Sequence, residues 1–297
     1  MTAADEFAFI KANYAQCMER MFAAVGDLYA EHWNDFFHFA LFSHDDESWD
    51  DAFRNTHSHY LDALRVAQAE RVIDLACGRG GFAHLLARHT EGEVLGIDIS
   101  RAQLAHCRRF ARHNLRFAHH DVMAVEALGQ TFDAVAFLDA ECYLPDKRQA
   151  IARIARIMRP GARFLLLAWC KQDGLNRVQE ELVLHPFMRA WAIPGLETVP
   201  DYQRSFAGAG LQLLEVSDLN HRVRRNWEFG YQQALDAIRN PSLGRAARLV
   251  WTGIREGSEA VRLIKDQFAA ALYIKTGFDA GFLRYVYFLA EKPPATR

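Results

Sequence analysis

Arg71-Val72-Ile73-Asp74-Leu75-Ala76-Cys77-Gly78-Arg79-Gly80-Gly81-Phe82-Ala83 reads as an apolar strand, a glycine-rich turn and the first turn of a helix. Glycine lets a backbone approach a ligand closely, and the start of a helix presents N–H groups that have no partner within the helix. That order suits a polar or anionic cofactor group held at the carboxyl end of a strand. The turn by itself is weak evidence, since enzymes that bind nicotinamide dinucleotides use a similar one.

Outward from this turn the chain repeats its alternation. Val72–Leu75, Val94–Ile97, Leu115–Ala118, Ala134–Leu138 and Phe164–Ala168 are short apolar runs separated by stretches of helical spacing. Parallel strands joined by crossover helices produce this pattern, so the expected fold is an open α/β sheet covered on both faces. Leu211–Val216 and Phe282–Leu289 read as two more strands, which makes a seven-stranded, Rossmann-like sheet.

Residues 1–66 precede the sheet, with apolar spacing at Phe9, Met18, Met21, Phe22, Val25 and Leu28 that predicts helices. We read them as an N-terminal helical lid and residues 67–297 as the sheet domain. Within that domain, about 170–268 is rich in aromatics, arginine and proline and reads as an inserted helical cap, with helices over 178–191 and 229–239.

Bulk properties narrow the partners. Thirty-five Lys and Arg against thirty-seven Asp and Glu leave a net charge of -2, which gives no electrostatic footprint for nucleic acid or an anionic membrane. Cys17, Cys77, Cys107, Cys142 and Cys170 form no CxxC pair and no even framework, so a disulfide scaffold or structural zinc is not expected, and a reducing cytoplasm is. No apolar run approaches the roughly 20 residues of a membrane span. A small-molecule substrate is therefore expected, with homo-oligomerisation left open. Histidine pairs such as His57 and His59 or His119 and His120 lack a carboxylate pattern around them, and no metal site is expected.

Acidic residues close three successive strands: Asp74, then Asp98 about 20 residues past the glycines, then Asp121. A carboxylate at the second position can accept both hydroxyls of a ribose, and one at the third suits the exocyclic amine of an adenine. Asp121 alone would serve equally well as a helix cap. Here the run Asp74-Leu75-Ala76-Cys77-Gly78-Arg79-Gly80 resembles the DxGCGxG signature of class I S-adenosylmethionine (SAM)-dependent methyltransferases, with Ala76 in place of the first glycine. Ile157-Met158-Arg159-Pro160-Gly161-Ala162 is similar to the RxLxPGG turn of that class. The resemblance implies SAM as cofactor. Asp74, Ala76, Cys77, Gly78 and Gly80 would line its methionine part, Asp98 with Ile99 its ribose, and Asp121 with Val122 its adenine.

The fourth strand runs into Asp139-Ala140-Glu141-Cys142-Tyr143-Leu144-Pro145-Asp146-Lys147. In such a sheet this strand end faces the acceptor, where carbon or protonated-nitrogen methylation also needs a base. Glu141 is the candidate base, with a helix cap as its alternative role. Tyr143 is the candidate orienter or cation stabiliser, and Asp139 a further cofactor contact. This segment, with Leu167-Ala168-Trp169-Cys170, resembles the ExxxHMPDK and TWC elements of tocopherol and sterol C-methyltransferases and their relatives acting on prenyl diphosphates. His38-Phe39 falls where that group carries an HxGY element.

The resemblance implies C-methylation of an isoprenoid or prenyl diphosphate, with His38, Phe39 and Trp169 at the substrate. Tyr202 and Arg204 are further substrate candidates, and Arg204, Arg222, Arg224 and Arg225 are available to a diphosphate, with a solvated surface as their alternative role. Aromatics outside the sheet, among them Trp33, Trp191 and Trp227, favour an apolar pocket. The alternatives are N- or O-methylation of a small amine or phenol, and a silent SAM-binding regulatory protein.

Overall fold

The computed structural model describes residues 3–33, 35–240 and 257–294, with side chains described from residue 5 to 26 and from 35 onward in those spans. Seven strands form one sheet in the order β3-β2-β1-β4-β5-β7-β6. They are β1 Arg71–Leu75, β2 Glu93–Asp98, β3 Leu115–His119, β4 Phe132–Leu138, β5 Met158–Lys171, β6 Gln212–Asp218 and β7 Leu283–Glu291. The first five run parallel, and β7 lies antiparallel between β5 and β6, pairing Leu167 with Tyr287 and Val216 with Phe288.

Strand side chains alternate between the two faces, and both faces are apolar. Val72, Val94, Ala134, Leu165, Leu167, Tyr285 and Tyr287 enter one core, and Ile73, Leu75, Val135, Phe164, Leu166, Val286 and Phe288 enter the other. A sheet buried on both sides reads as unbroken apolar runs, which is why these strands are visible in the sequence.

Helix α3 (Trp49–Ala63) and α4 (Gly81–Arg88) supply residues such as Tyr60, Phe82 and Leu86 to the first core. α5 (Arg101–Cys107) follows β2. α6 (Lys147–Ile157) and α9 (Val199–Gly208) supply Ile151, Ile154, Tyr202 and Phe206 to the second. Between β5 and α9, α7 (Arg177–Gln179) passes through a π turn at Glu180–Leu184 into α8 (His185–Ala190). α10 (Asn220–Arg239) and α11 (Ser258–Asp279) lie between β6 and β7.

The helical cap drawn over about 170–268 is thus divided by a strand of the sheet. One part precedes α9 and β6 and the other follows them; residues 241–256 lie outside the described residues. The segment expected as an N-terminal lid holds α1 (Ala3–Ala12), α2 (Tyr14–Trp33) and α3. Met18, Met21 and Val25 form its buried stripe, whereas Phe9 is 52% exposed; the side chains of Leu28 and Trp33 lie outside the described residues. No helix among the described residues is long and apolar enough to cross a membrane.

Candidate active site

The carboxyl ends of β1, β2, β3 and β4 open into a cavity roofed by α2, α10 and α11. At one end the backbone after β1 turns through left-handed conformations at Ala76 (φ 53°), Gly78 (54°) and Gly80 (85°) before α4 begins. Such φ values cost L-residues energy and glycine none. The glycines also make room, because a Cβ on Gly78 would stand 3.3 Å from the ring of Phe37 and one on Gly80 2.8 Å from Phe117.

Asp98, at the end of β2, is 7% exposed and faces the cavity. Its Oδ2 accepts from the Gly78 N–H at 2.8 Å and its Oδ1 from the Ser100 N–H at 2.7 Å. Burial pushes its pKa up to about 6 against the pull of those two bonds. Each carboxylate oxygen has a second lone pair to offer a ligand, so the residue fits a ribose diol. Ala76, Cys77, Gly78, Ile99, Asp121 and Val122 border the same end, and Gln103 and His120 join them.

Asp121 accepts from Met123 N at 2.7 Å and so also caps the turn Val122–Leu128, while the hydroxyl of Tyr14 on α2 donates to its other oxygen. Asp121 thus serves as a cap and also borders the cavity. Asp74 and Gly80 do not border the cavity. Asp74 is buried beneath the turn and accepts from the backbone of Ala83 in α4; burial and the nearby Asp98 push its pKa up to about 8.

The other end of the cavity is walled by Phe39, Leu138, Asp139, Tyr143, Trp169 and Trp191, with Trp227 and Ala234 from α10 and Phe268 and Ile274 from α11. Asp139 has φ 60° and its carboxylate accepts from Trp169 Nε1 at 3.0 Å and from Phe39 N at 3.3 Å. Burial raises its pKa to about 7, opposed by these donors and the Tyr285 hydroxyl.

Several expected contacts lie elsewhere. Glu141 does not border the cavity; it is 2% exposed, and its Oε1 accepts from Trp169 N at 2.7 Å and from the Tyr202 hydroxyl at 3.3 Å. Nor does it cap α6, whose cap is Asp146, accepting from Gln149 N at 2.8 Å. Tyr202 is buried with it in the second core.

Arg204 is paired with Asp201 on the surface, Arg224 with Asp45 and Glu228, and Arg225 lies over the ring of Phe42 and donates to Glu47 O. None of these arginines borders the cavity, nor does Arg222. His38 is buried and does not border the cavity, its Nε2 3.1 Å from His57 Nε2, and burial lowers its pKa to about 4. Tyr14, Gln103, His120, Gln233, Gln267 and Phe268 also border the cavity, and for most of them α-helical spacing on α2, α10 and α11 is the only signal in the sequence.

A methyltransferase domain model matches residues 72–161. A sterol 24-C-methyltransferase of Aspergillus fumigatus is 26% identical over 256 residues, 82% of this chain and 67% of its own length. Among solved structures, the [4+2]-cyclase SpnF superposes with a TM-score of 0.74 at 20% identity, covering 95% of this chain and 97% of its own. A geranyl diphosphate C-methyltransferase from Streptomyces coelicolor, solved with Mg2+, geranyl diphosphate and S-adenosyl-L-homocysteine, gives 0.63 at 15% identity over 94% and 98%.

Proposed function

We propose that this chain, a class I SAM-dependent methyltransferase, methylates carbon in an uncharged isoprenoid alkene. The observation that carries the reading is the wall of the acceptor end. Trp169, Trp191, Trp227, Phe39 and Tyr143 surround it, Asp139 enters it, and no lysine or arginine among the described residues borders the cavity. A diphosphate would bring negative charge to a cavity bordered by Asp98, Asp121 and Asp139, whereas an alkene is taken up by apolar area alone.

SAM supplies an electrophilic sulfonium methyl. The alkene π pair forms the new carbon–carbon bond, the carbon–sulfur pair stays on sulfur, and the substrate is left as a carbocation that loses a proton. An aromatic face stabilises a cation by about 0.5–1 kcal/mol at an exposed site and by about 2 kcal/mol when desolvated. We assign the cofactor end to Ala76, Cys77, Gly78, Asp98, Ile99, Asp121 and Val122. Asp139 is the proton acceptor, since it faces the acceptor end with a carboxyl poised near neutrality. Relatives whose printed names refer to sterol and geranyl diphosphate substrates support carbon as the acceptor atom.

The test is incubation with methyl-labelled SAM and separate pools of neutral sterols and prenols, geranyl and farnesyl diphosphates, and small amines and phenols, followed by mass spectrometry. Label on carbon of a neutral alkene is expected. Label confined to the diphosphates, or to nitrogen or oxygen, would overturn the reading, and binding of SAM with label in no pool would favour a silent binding protein.

A further inference from the structure

Behind the acceptor end lies a buried carboxyl group that the chemistry above leaves unused. Glu141 opens the turn Glu141–Tyr143, and Ala140, Tyr143 and Leu144 around it border the cavity while Glu141 is turned inward. Its Oε1 holds two donors, Trp169 N and the Tyr202 hydroxyl; its Oε2 is buried with no hydrogen-bond partner. The nearby Lys147 ammonium is committed to the carbonyls of Leu144 at 2.9 Å and Gly195 at 2.6 Å.

An ionised oxygen left bare in the interior is costly, whereas a neutral acid leaves only a hydroxyl there. Burial accordingly pushes the Glu141 pKa up to about 8. Trp169 links this group to the cavity: its main-chain N–H is tied to Glu141 and its indole N–H to Asp139.

We propose that Glu141 is a positioning residue that pins the main chain of Trp169, so that the indole N–H holds the Asp139 carboxyl at the acceptor. The proposal rests on the assignment of Asp139 as proton acceptor, and it makes Glu141 act as a neutral acceptor of hydrogen bonds. A glutamine preserves that function, because its amide oxygen can take both donors; a leucine of similar volume leaves Trp169 N and the Tyr202 hydroxyl unpaired.

The experiment compares Glu141→Gln, Glu141→Leu and Trp169→Phe by indole 1H–15N spectra and by kcat and KM. The Trp169 Nε1 resonance is identified by its loss in Trp169→Phe. Glu141→Gln is expected to keep that resonance in place and kcat within about threefold of wild type. Glu141→Leu is expected to shift it and to lower kcat about tenfold or more with KM and SAM affinity little changed, and Trp169→Phe is expected to lower kcat at least as far.

A fall in kcat of about 100-fold in Glu141→Gln with the resonance unmoved would make Glu141 the proton acceptor itself and overturn the proposal. So would an unshifted resonance in Glu141→Leu, or full kcat in Trp169→Phe, which decides the matter should Glu141→Leu not fold. The resonance needs no methyl acceptor, so it tests the linkage even if no neutral alkene proves to be a substrate.

Discussion

Ala76 occupies a left-handed backbone position, φ 53°, where the related signature carries glycine. An L-residue there costs about 1–2 kcal/mol, partly offset by the about 0.5–1 kcal/mol of chain entropy that glycine forfeits on folding. Ala76→Gly should therefore raise stability by roughly 0.5–1 kcal/mol, seen as a melting temperature higher by about 1–4 °C; a lower one would show that the turn is relaxed with alanine. Asp98→Ala should act on binding. It removes a charged acceptor from the proposed ribose contact and from Gly78 N, at about 1.5–3 kcal/mol, or roughly 10- to 150-fold in SAM affinity by calorimetry. An affinity within twofold of wild type would cancel the assignment. At this scale the sequence was most informative where residues end consecutive parallel strands: Asp98, Asp121 and Asp139 border one cavity because the topology puts all strand ends on one edge. It was least informative inside the turn after β4. Successive side chains of a tight turn point in widely different directions, so Asp139 and Tyr143 face the cavity while Glu141 between them faces the core, a distinction that spacing alone does not encode.

Helices α2, α10 and α11 turn an open strand edge into an enclosed site. α2 crosses the cofactor end with Tyr14, Met18 and Phe22 bordering the cavity, and it is fastened by Tyr14 to Asp121 and by Glu19, whose Oε2 accepts from Arg101 N at 2.8 Å. Tyr14→Phe removes one fastening. A hydrogen bond to a charged group contributes about 1.5–3 kcal/mol, and release of SAM limited by movement of α2 should accelerate by roughly 10-fold or more; an unchanged dissociation rate in stopped flow would show that α2 does not gate the cofactor. The strands were legible because both sheet faces are apolar, and Leu211–Val216 could be read as one even inside a helical segment. The cap around it reads in the sequence as one insertion although that strand divides it. An aromatic or small residue on a helix has the same spacing whether it packs on a neighbour, as Phe278 stacks on Trp227 at 4.0 Å, or borders an open cavity, as Phe268 and Ala271 do.

The whole molecule concentrates acids with raised pKa values along one buried edge of its sheet: Asp98 at about 6, Asp139 at about 7, and Asp74 and Glu141 at about 8, each driven first by burial. An unfolded carboxyl releases its proton near pH 4, so between that pH and these values the folded chain holds protons that the unfolded chain has lost. Stability contributed by such groups is fully present below the unfolded pKa and is lost as pH rises through the folded one. His38 and His57 work in the opposite sense. Burial lowers them to about 4 and about 3, so they cost stability only where an unfolded histidine is protonated, below about pH 6.5. Above that pH these acids pull stability down as pH rises. They are joined near the top of the window by the buried thiols of Cys77, Cys142 and Cys170, which burial raises, and opposed by the Lys147 ammonium, which burial lowers. With the acids dominant, the melting temperature of the ligand-free protein should fall from about pH 6.5 to 8.5. Replacing two of them with neutral isosteres, Asp139→Asn and Glu141→Gln, should flatten the fall over the same window. A melting temperature that is level or rising across it in the wild type, or a slope unchanged in the double variant, would show that these carboxyls are ionised at neutral pH in the folded chain, and would remove the basis for reading Glu141 as a neutral pin and Asp139 as a group poised to take a proton.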